Sequence, residues 1–168
     1  MIGRWAFSAG LMMLLAGCGF RPVYGEGGRA SAELPAVYVG VIPNRAGQLV
    51  RQAIQARLEG ADSGVAKRYT LSMAYYETEQ ILGTQANNFA TRARTVGNAT
   101  WTLHPAGDPA VVLGTGTVRS VDGYNLIDEQ FFYQDLSEDA VQRRLAQTVA
   151  EQVALGLCLY FDKHPATR

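Results

Sequence analysis

The chain has 168 residues, the size of one ordinary domain. Its 15 Lys and Arg balance 15 Asp and Glu, which argues against a general nucleic-acid binder, whose signature is a basic excess. With 2 cysteines and 2 histidines, it has too few of either for a disulfide framework or a metal-like ligand spacing.

The first element is an apolar run. Arg4 is the only charge before position 21, and the 11 residues from Trp5 to Leu15 are all apolar or small. A bilayer core needs roughly 20 residues, so the run is too short to span. It has the length of the apolar region of a secretory signal peptide, with Arg4 as its positive flank. The run ends in "LAGC", Leu15 to Cys18, which resembles a bacterial lipobox. Cys18 supplies the thiol for a diacylglyceryl thioether and is expected to become the first mature residue. Small residues at the cut let the backbone fit a peptidase inside the membrane. One acyl chain binds a membrane marginally, at roughly 0.8 kcal/mol per CH₂, whereas two or three anchor it stably. Gly19 stands where an inner-membrane retention signal carries Asp, so the expected anchor is in the outer membrane of a Gram-negative cell, facing the periplasm. Residues 1–17 are thus expected to leave as a signal peptide. Then 168 less 17 gives 151 residues, and 15 basic residues less Arg4 gives 14 against 15 acidic ones. With Cys18 acylated, Cys158 has no partner for an intramolecular disulfide. In "VALGLCLYF" it reads as a small buried apolar residue.

Residues 18–34 are expected to form the acylated N-terminus and a flexible tether, with "GEGGRASA" (Gly25–Ala32) small and polar throughout. A single domain is expected over 35–168. "AVYVGVI" (Ala36–Ile42) is short and rich in β-branched residues, so it predicts a strand. Leu49, Val50, Ala53, Ile54 and Leu58 recur at helical spacing on one face. Asn44 fits the N-cap of that helix and Gly60 its stop, while Arg51 and Gln55 point away from the stripe. "RYTLSMAYY" alternates, with Tyr69, Leu71, Met73 and Tyr75 on one face. "FATRARTVGNATWTLH" alternates too: Phe89, Ala93, Ala99, Trp101 and Leu103 share one parity, and Arg92, Arg94, Asn98, Thr100, Thr102 and His104 the other. "GTQANN" (Gly83–Asn88) is turn-like and makes the pair a hairpin. "AVVLGTGTVRSV" (Ala110–Val121) predicts a fourth strand, with Gly114 and Gly116 marking a bulge or strong bend. The last element is a long helix with Ser137 at its N-cap, Glu138 and Asp139 in its first turn, and a Leu136–Val141 staple. Val141, Leu145, Thr148, Val149, Gln152 and Val153 line one side of it.

The expected fold is therefore α+β: a two-layer, four-stranded mixed sheet, β-α-β-β-β-α, with two helices on one face. The first crossover makes its two strands parallel, and the hairpin adds antiparallel pairs. Two helices cover one face of the sheet, so the face with the Arg and Thr residues is left for water or a partner.

Catalytic residues are hard to find. His104 ends a strand before Pro105, and His164 lies near the C-terminus. No serine sits in a nucleophile elbow. "GTGT" (Gly114–Thr117) lacks the lysine and the helix of a phosphate loop. Asp128 and Glu129 read as a solvated loop, and the "NAT" sequon (Asn98–Thr100) lies within a strand pattern. The expectation is a non-enzyme with no metal and no cofactor other than covalent lipid on Cys18.

The lipobox followed directly by "CGFRPVYG" (Cys18–Gly25), and then by a βαβββα domain, resembles the LptE family of outer-membrane lipopolysaccharide-assembly lipoproteins. "CGFRP" is the most specific part of the resemblance. It implies a lipoprotein seated in the lumen of a large outer-membrane β-barrel, as plug and assembly factor, with the pair delivering lipopolysaccharide to the outer leaflet. A barrel lumen is polar, and the polar sheet face and near-neutral charge suit a plug. Phe20 and Tyr24 offer rings suited to an interface, and Arg21 can meet anionic head groups, so the three are read as membrane-proximal docking residues. Arg92 and Arg94, two apart on one strand face, are read as contacts to lipopolysaccharide phosphates or to the barrel wall. The competing class is a scaffold or ligand-binding envelope lipoprotein that works without a barrel.

Overall fold

A computed structural model of the chain describes residues 32–59, 64–84, 90–126 and 131–164. A 3-10 turn, Leu34–Ala36, leads into β1 (Val37–Val39), α1 (Asn44–Glu59), β2 (Tyr69–Thr84), β3 (Ala90–Pro105), β4 (Gly114–Asn125) and α2 (Phe131–Lys163). The four strands lie in the order β1-β2-β3-β4. β1 pairs parallel with β2 across the α1 crossover, and the other two pairings are antiparallel. This is the expected α+β fold.

α1 packs on β1 and β2, α2 on β4 and β3, and the two helices pack on each other. The α1 stripe is as the spacing predicts: Val50, Ile54 and Leu58 are buried, with Leu49 and Ala53 packed against them. α2 buries Val141, Leu145, Ala146, Val149, Ala150, Val153, Ala154, Leu157, Cys158 and Phe161. Thr148 and Gln152, expected on that side, are exposed instead, because Ala146, Ala150 and Ala154 take the inner positions and let α2 approach the sheet. Arg45 meets Asp139 at 3.0 Å, and Arg57 meets Glu151 at 3.9 Å. The N-terminal partner of one helix thus meets the N-terminal partner of the other, so α1 and α2 run in the same direction. Such exposed pairs add little stability, about 0–1 kcal/mol each.

The sheet side of the core turns on Trp101. Its ring lies between glycines of two elements. A Cβ at Gly116 in β4 would come within 2.7 Å of the indole, and one at Gly156 in α2 within 3.0 Å. A Cβ at Gly114 would meet the Tyr160 ring at 3.0 Å. The β3–β4 register runs unbroken through Trp101↔Gly116 and Leu103↔Gly114. The strand glycines therefore mark no bulge; they make room for two rings. Farther along β3 the same arrangement recurs, since a Cβ at Gly97 would meet the Tyr75 hydroxyl at 2.6 Å. At the other end of the core the Tyr69 and Phe161 rings lie 5.1 Å apart and tie α2 to β2.

Several boundaries differ from the sequence expectation. β1 is three residues long because Pro43 and the αL residue Asn44 (φ 68°) turn the chain into α1. Asn tolerates that conformation where most residues do not. Arg51 does not point away: it is half-buried, and its Nε–H donates to the Val39 carbonyl at 3.2 Å. β4 starts at Gly114, not Ala110. The Ala110 N–H is taken by Asp108 at 3.1 Å, and the Leu113 N–H is the first to reach β3, at Leu103 O. α2 starts at Phe131, so Ser137 and Leu136 lie inside it, and Leu136 is exposed, not stapled. Asp139 pairs with Arg45 and Arg143; those two guanidiniums hold its carboxyl below the usual aspartate range. The acidic cluster that mimics a helix start is thus used to join the helices. Gly60, Phe89, Asp128 and Glu129 bear on expectations that lie outside the described residues or side chains.

Gly116→Ala should destabilise the protein by about 1–3 kcal/mol in denaturant unfolding, because the new methyl overpacks against Trp101. Gly64→Ala, with nothing within 4 Å of the new atom, should change stability by less than about 0.5 kcal/mol.

Candidate functional site on the open face of the sheet

Pairing alternates the side chains of β2, β3 and β4 between two faces. The helices cover the face that holds Leu71, Tyr75, Ala99, Trp101, Leu103 and Val118. The opposite face shows rows of three. Gly83–Arg92–Asn125, Gln80–Arg94–Gly123 and Tyr76–Asn98–Arg119 cross the sheet toward the hairpin end. Ala74–Thr100–Thr117 and Ser72–Thr102–Thr115 follow. Tyr38 of β1 sits on the same face beside Thr70. Val96, the apolar exception of β3 here, is 4% exposed.

Charge is sorted between the two faces. The acidic residues of the described strands, Glu77, Glu79 and Asp122, all belong to the helix side. The Tyr75 hydroxyl donates to Glu77 at 2.7 Å, the Tyr124 hydroxyl to Glu79 at 2.8 Å, and the Arg144 Nε–H to Asp122 at 2.6 Å. Burial, and then the accepting carboxylate, push both phenols well above the ordinary tyrosine range, so they stay donors. Among the described residues, the open face carries Arg92, Arg94 and Arg119 and no carboxylate. Arg45, Arg57, Lys67, Arg68, Arg143 and Arg144 each pair with a carboxylate elsewhere. The three open-face arginines have no such pair among the described residues.

The two arginines expected from the sequence are indeed together on this face. Arg92 is exposed. Arg94 is half-buried; its Nη2 donates to Gln80 Oε1 at 2.5 Å, while its Nε–H is buried without an acceptor. Buried donors are nearly always satisfied, so Arg94 lacks one acceptor. Arg119 was not singled out by the sequence. The β4 stretch "GTGTVRSV" has no apolar alternation to fix its phase; only the pairing with Asn98 places Arg119 here. Cys18, Phe20, Arg21 and Tyr24 lie outside the described residues. His104 sits at the end of the same face, where its Nδ1 bonds the Val111 carbonyl at 2.9 Å. The carbonyl only accepts, so Nδ1 carries the hydrogen. Among the described residues no cluster of His, Cys, Asp and Glu is placed to hold a metal ion, and no helix is long and apolar enough to cross a membrane.

Residues 34–155 match the family LptE: Lipopolysaccharide-assembly. The chain belongs to the LptE family. This is a family of non-enzymatic lipopolysaccharide-assembly lipoproteins that use no cofactor. The fold is shared with solved structures of low identity. A Caulobacter crescentus CB15 protein described as a candidate lipoprotein matches at TM-score 0.64 and 22% identity, over 82% of this chain and 98% of its own. The minor lipoprotein of Acinetobacter baumannii matches at TM-score 0.59 and 13% identity, over 73% of this chain and 90% of its own. Rare lipoprotein B of Shewanella oneidensis matches at TM-score 0.54 and 8% identity, over 73% of this chain and 93% of its own. No curated protein matches the sequence. In LptE terms, the open face is the part of the domain with chemistry to spare.

Cys158 is not part of that face. It is buried in α2, and burial, reinforced by Asp162, pushes its thiol above the ordinary range. A raised pKa leaves less thiolate at neutral pH, so the thiol is inert when folded. In a Cys18→Ser variant, where Cys158 is the sole thiol, a disulfide reagent at pH 8 should modify the protein only after denaturant is added. Full reaction of the folded protein would show an accessible thiolate.

Proposed function

We propose that this LptE-family protein is a lipid-anchored plug and assembly factor of an outer-membrane β-barrel. Together the two deliver lipopolysaccharide to the outer leaflet. Residues 1–17 are removed, Cys18 is acylated, residues 18–34 tether the chain, and 35–168 form the working domain. Phe20, Arg21 and Tyr24 sit close to the membrane surface and help dock the domain there. The observation that carries the reading is the open face: among the described residues it has three arginines and no carboxylate, in a chain whose family assembles a phosphorylated glycolipid. Arg92 and Arg94 are two apart on one strand face, about 7 Å, and each guanidinium can bind phosphate bidentately at any relevant pH. The polar sheet face and the balanced charge of the chain also suit a plug in a polar barrel lumen.

Two measurements test this. Detergent extraction should bring down a roughly stoichiometric, heat-modifiable barrel protein with the wild-type chain, and Cys18→Ala should move the chain out of the membrane fraction. A chain that extracts alone would favour a barrel-independent lipoprotein. For the arginines, Arg92→Glu with Arg94→Glu should weaken binding of lipopolysaccharide and flatten its salt dependence at unchanged melting temperature. Unchanged binding with loss of the barrel would mean that the pair serves the partner.

A further inference from the structure

β4 is the last strand of the sheet, so one of its edges has no strand beside it among the described residues. In an antiparallel ladder, alternate residues exchange both backbone bonds with the neighbouring strand, and the residues between them turn N–H and C=O the other way. The Leu126 N–H donates to the Thr91 carbonyl at 2.9 Å, and this bond fixes the phase. Gly116, Val118 and Ser120 bond to β3, while Thr115, Thr117, Arg119 and Val121 turn their backbone groups outward. The next outward N–H, that of Gly123, is closed off by the Asp122 carboxylate at 2.7 Å. The open ladder therefore runs over residues 115–121.

Sheets guard an exposed edge with proline, lysine, a bulge or brevity. β4 uses none of these. It is 12 residues long, contains no proline or lysine, and keeps an unbroken register with β3. β2 also has an edge without a strand beside it, because β1 pairs with it only from Tyr69 to Leu71. The Gly40 N–H donates to the Leu71 carbonyl at 2.9 Å, so the odd-numbered residues of β2 turn to that edge. Two of them are Glu77 and Glu79. The two edges thus differ in sign: the β2 edge is acidic, and the open ladder of β4 carries Arg119, which has no carboxylate partner among the described residues.

The side chains that border this ladder on the open face are Thr115, Thr117, Arg119 and Val121. Val121 is 46% exposed and shares the row Thr78–Val96–Val121 with the buried Val96. Tyr76, 63% exposed, shares the row of Arg119. A strand laid along β4 places side chains opposite Arg119 and Val121. Opposite charges and apolar pairs are favourable across strands, and like charges directly opposite are not. A second copy of β4 would set two open faces side by side, each with arginines and no carboxylate among the described residues, so charge disfavours self-pairing. The wall of a closed barrel has no unpaired strand edge to offer. The fitting strand is an extended loop or tail that carries negative charge.

We propose that the edge of β4 at residues 115–121 docks an extended acidic segment of a partner protein, which adds to the sheet as a fifth strand. The segment runs antiparallel to β4, the pairing that is more stable per residue. Backbone bonds to Thr115, Thr117, Arg119 and Val121 hold it. An apolar side chain opposite Val121 and a carboxylate opposite Arg119, two residues apart, set its register.

The test uses full-length protein in detergent micelles and a short threonine-rich synthetic peptide with valine and, two residues on, glutamate. Amide hydrogen exchange is followed by NMR. In the protein alone, the amides of Thr115, Thr117, Arg119 and Val121 should exchange fast and those of Gly116, Val118 and Ser120 slowly. The peptide should slow the first set. Lysine in place of its glutamate should weaken binding about tenfold, and Arg119→Glu should reverse that preference at unchanged melting temperature. Thr117→Pro removes an N–H that β3 does not use and should weaken the glutamate peptide about tenfold. Equal binding of the two peptides, a preference that survives Arg119→Glu, or no added protection of the outward amides overturns the proposal. So does slow exchange of those amides before any peptide is added: protection that grows with protein concentration gives the edge to a second copy, and protection independent of it gives the edge to the chain itself.

Discussion

A four-stranded sheet with two helices can bury one face, and that inequality governs everything else in the molecule. The helices share the work by strand, α1 over β1 and β2, α2 over β3 and β4. In the middle of the three long strands, alternate residues thereby face a dry interface and a wet one, with Val96 the buried exception on the wet side. The polar groups that fall on the dry side are matched in place: phenol to carboxylate for Tyr75 and Tyr124, guanidinium to carboxylate for Asp122. An unpaired carboxylate there would carry a heavy desolvation cost. The wet side is under no such rule. Arginines can stand on it without partners because solvent, or a ligand, satisfies them.

Net charge hides this division. The chain balances 15 basic against 15 acidic residues, which rules out a uniformly basic binder and says nothing about where the charges sit. Carboxylates gather on the helix side, partly to hold the two helices in register and partly to accept from tyrosines. Among the described residues, three of the cations without a carboxylate partner, Arg92, Arg94 and Arg119, share the open face. A neutral protein can therefore present a positive field in one direction, strongest close to the surface and screened within about 8–10 Å in physiological salt.

How much of this was legible in the sequence depended on which residues carried the phase. In β3 the apolar residues mark the core parity so plainly that Arg92 and Arg94 could be placed on the other face without coordinates. β4 alternates glycine and threonine, and neither betrays a face, so Arg119 stayed unplaced until its cross-strand neighbour was known. The sequence places the start of α2 at Ser137, six residues late, for a related reason. Ser137, Glu138 and Asp139 have the local chemistry of a helix N-terminus, but Asp139 is bound to Arg45, 94 positions away in sequence. Local signals lose to a tertiary contact that no window of sequence contains. The strand glycines were recognised as special, and the cause was again nonlocal: they yield to rings supplied by β3 and α2.

Those glycines also constrain how the domain can change over time. Trp101, Gly116 and Gly156 come from three separate elements and share one volume, with the indole filling the space that two side chains give up. At native packing density there is no slack to absorb an added methyl. A bulkier residue at 116 or 156 is compatible with the fold only alongside a smaller one at 101, and a smaller ring at 101 leaves a void unless a glycine is replaced. The three positions are coupled in the sense that their substitutions do not act independently. Drift at these sites therefore has to be correlated, although the residues are spread over 56 positions of chain, from 101 to 156 inclusive.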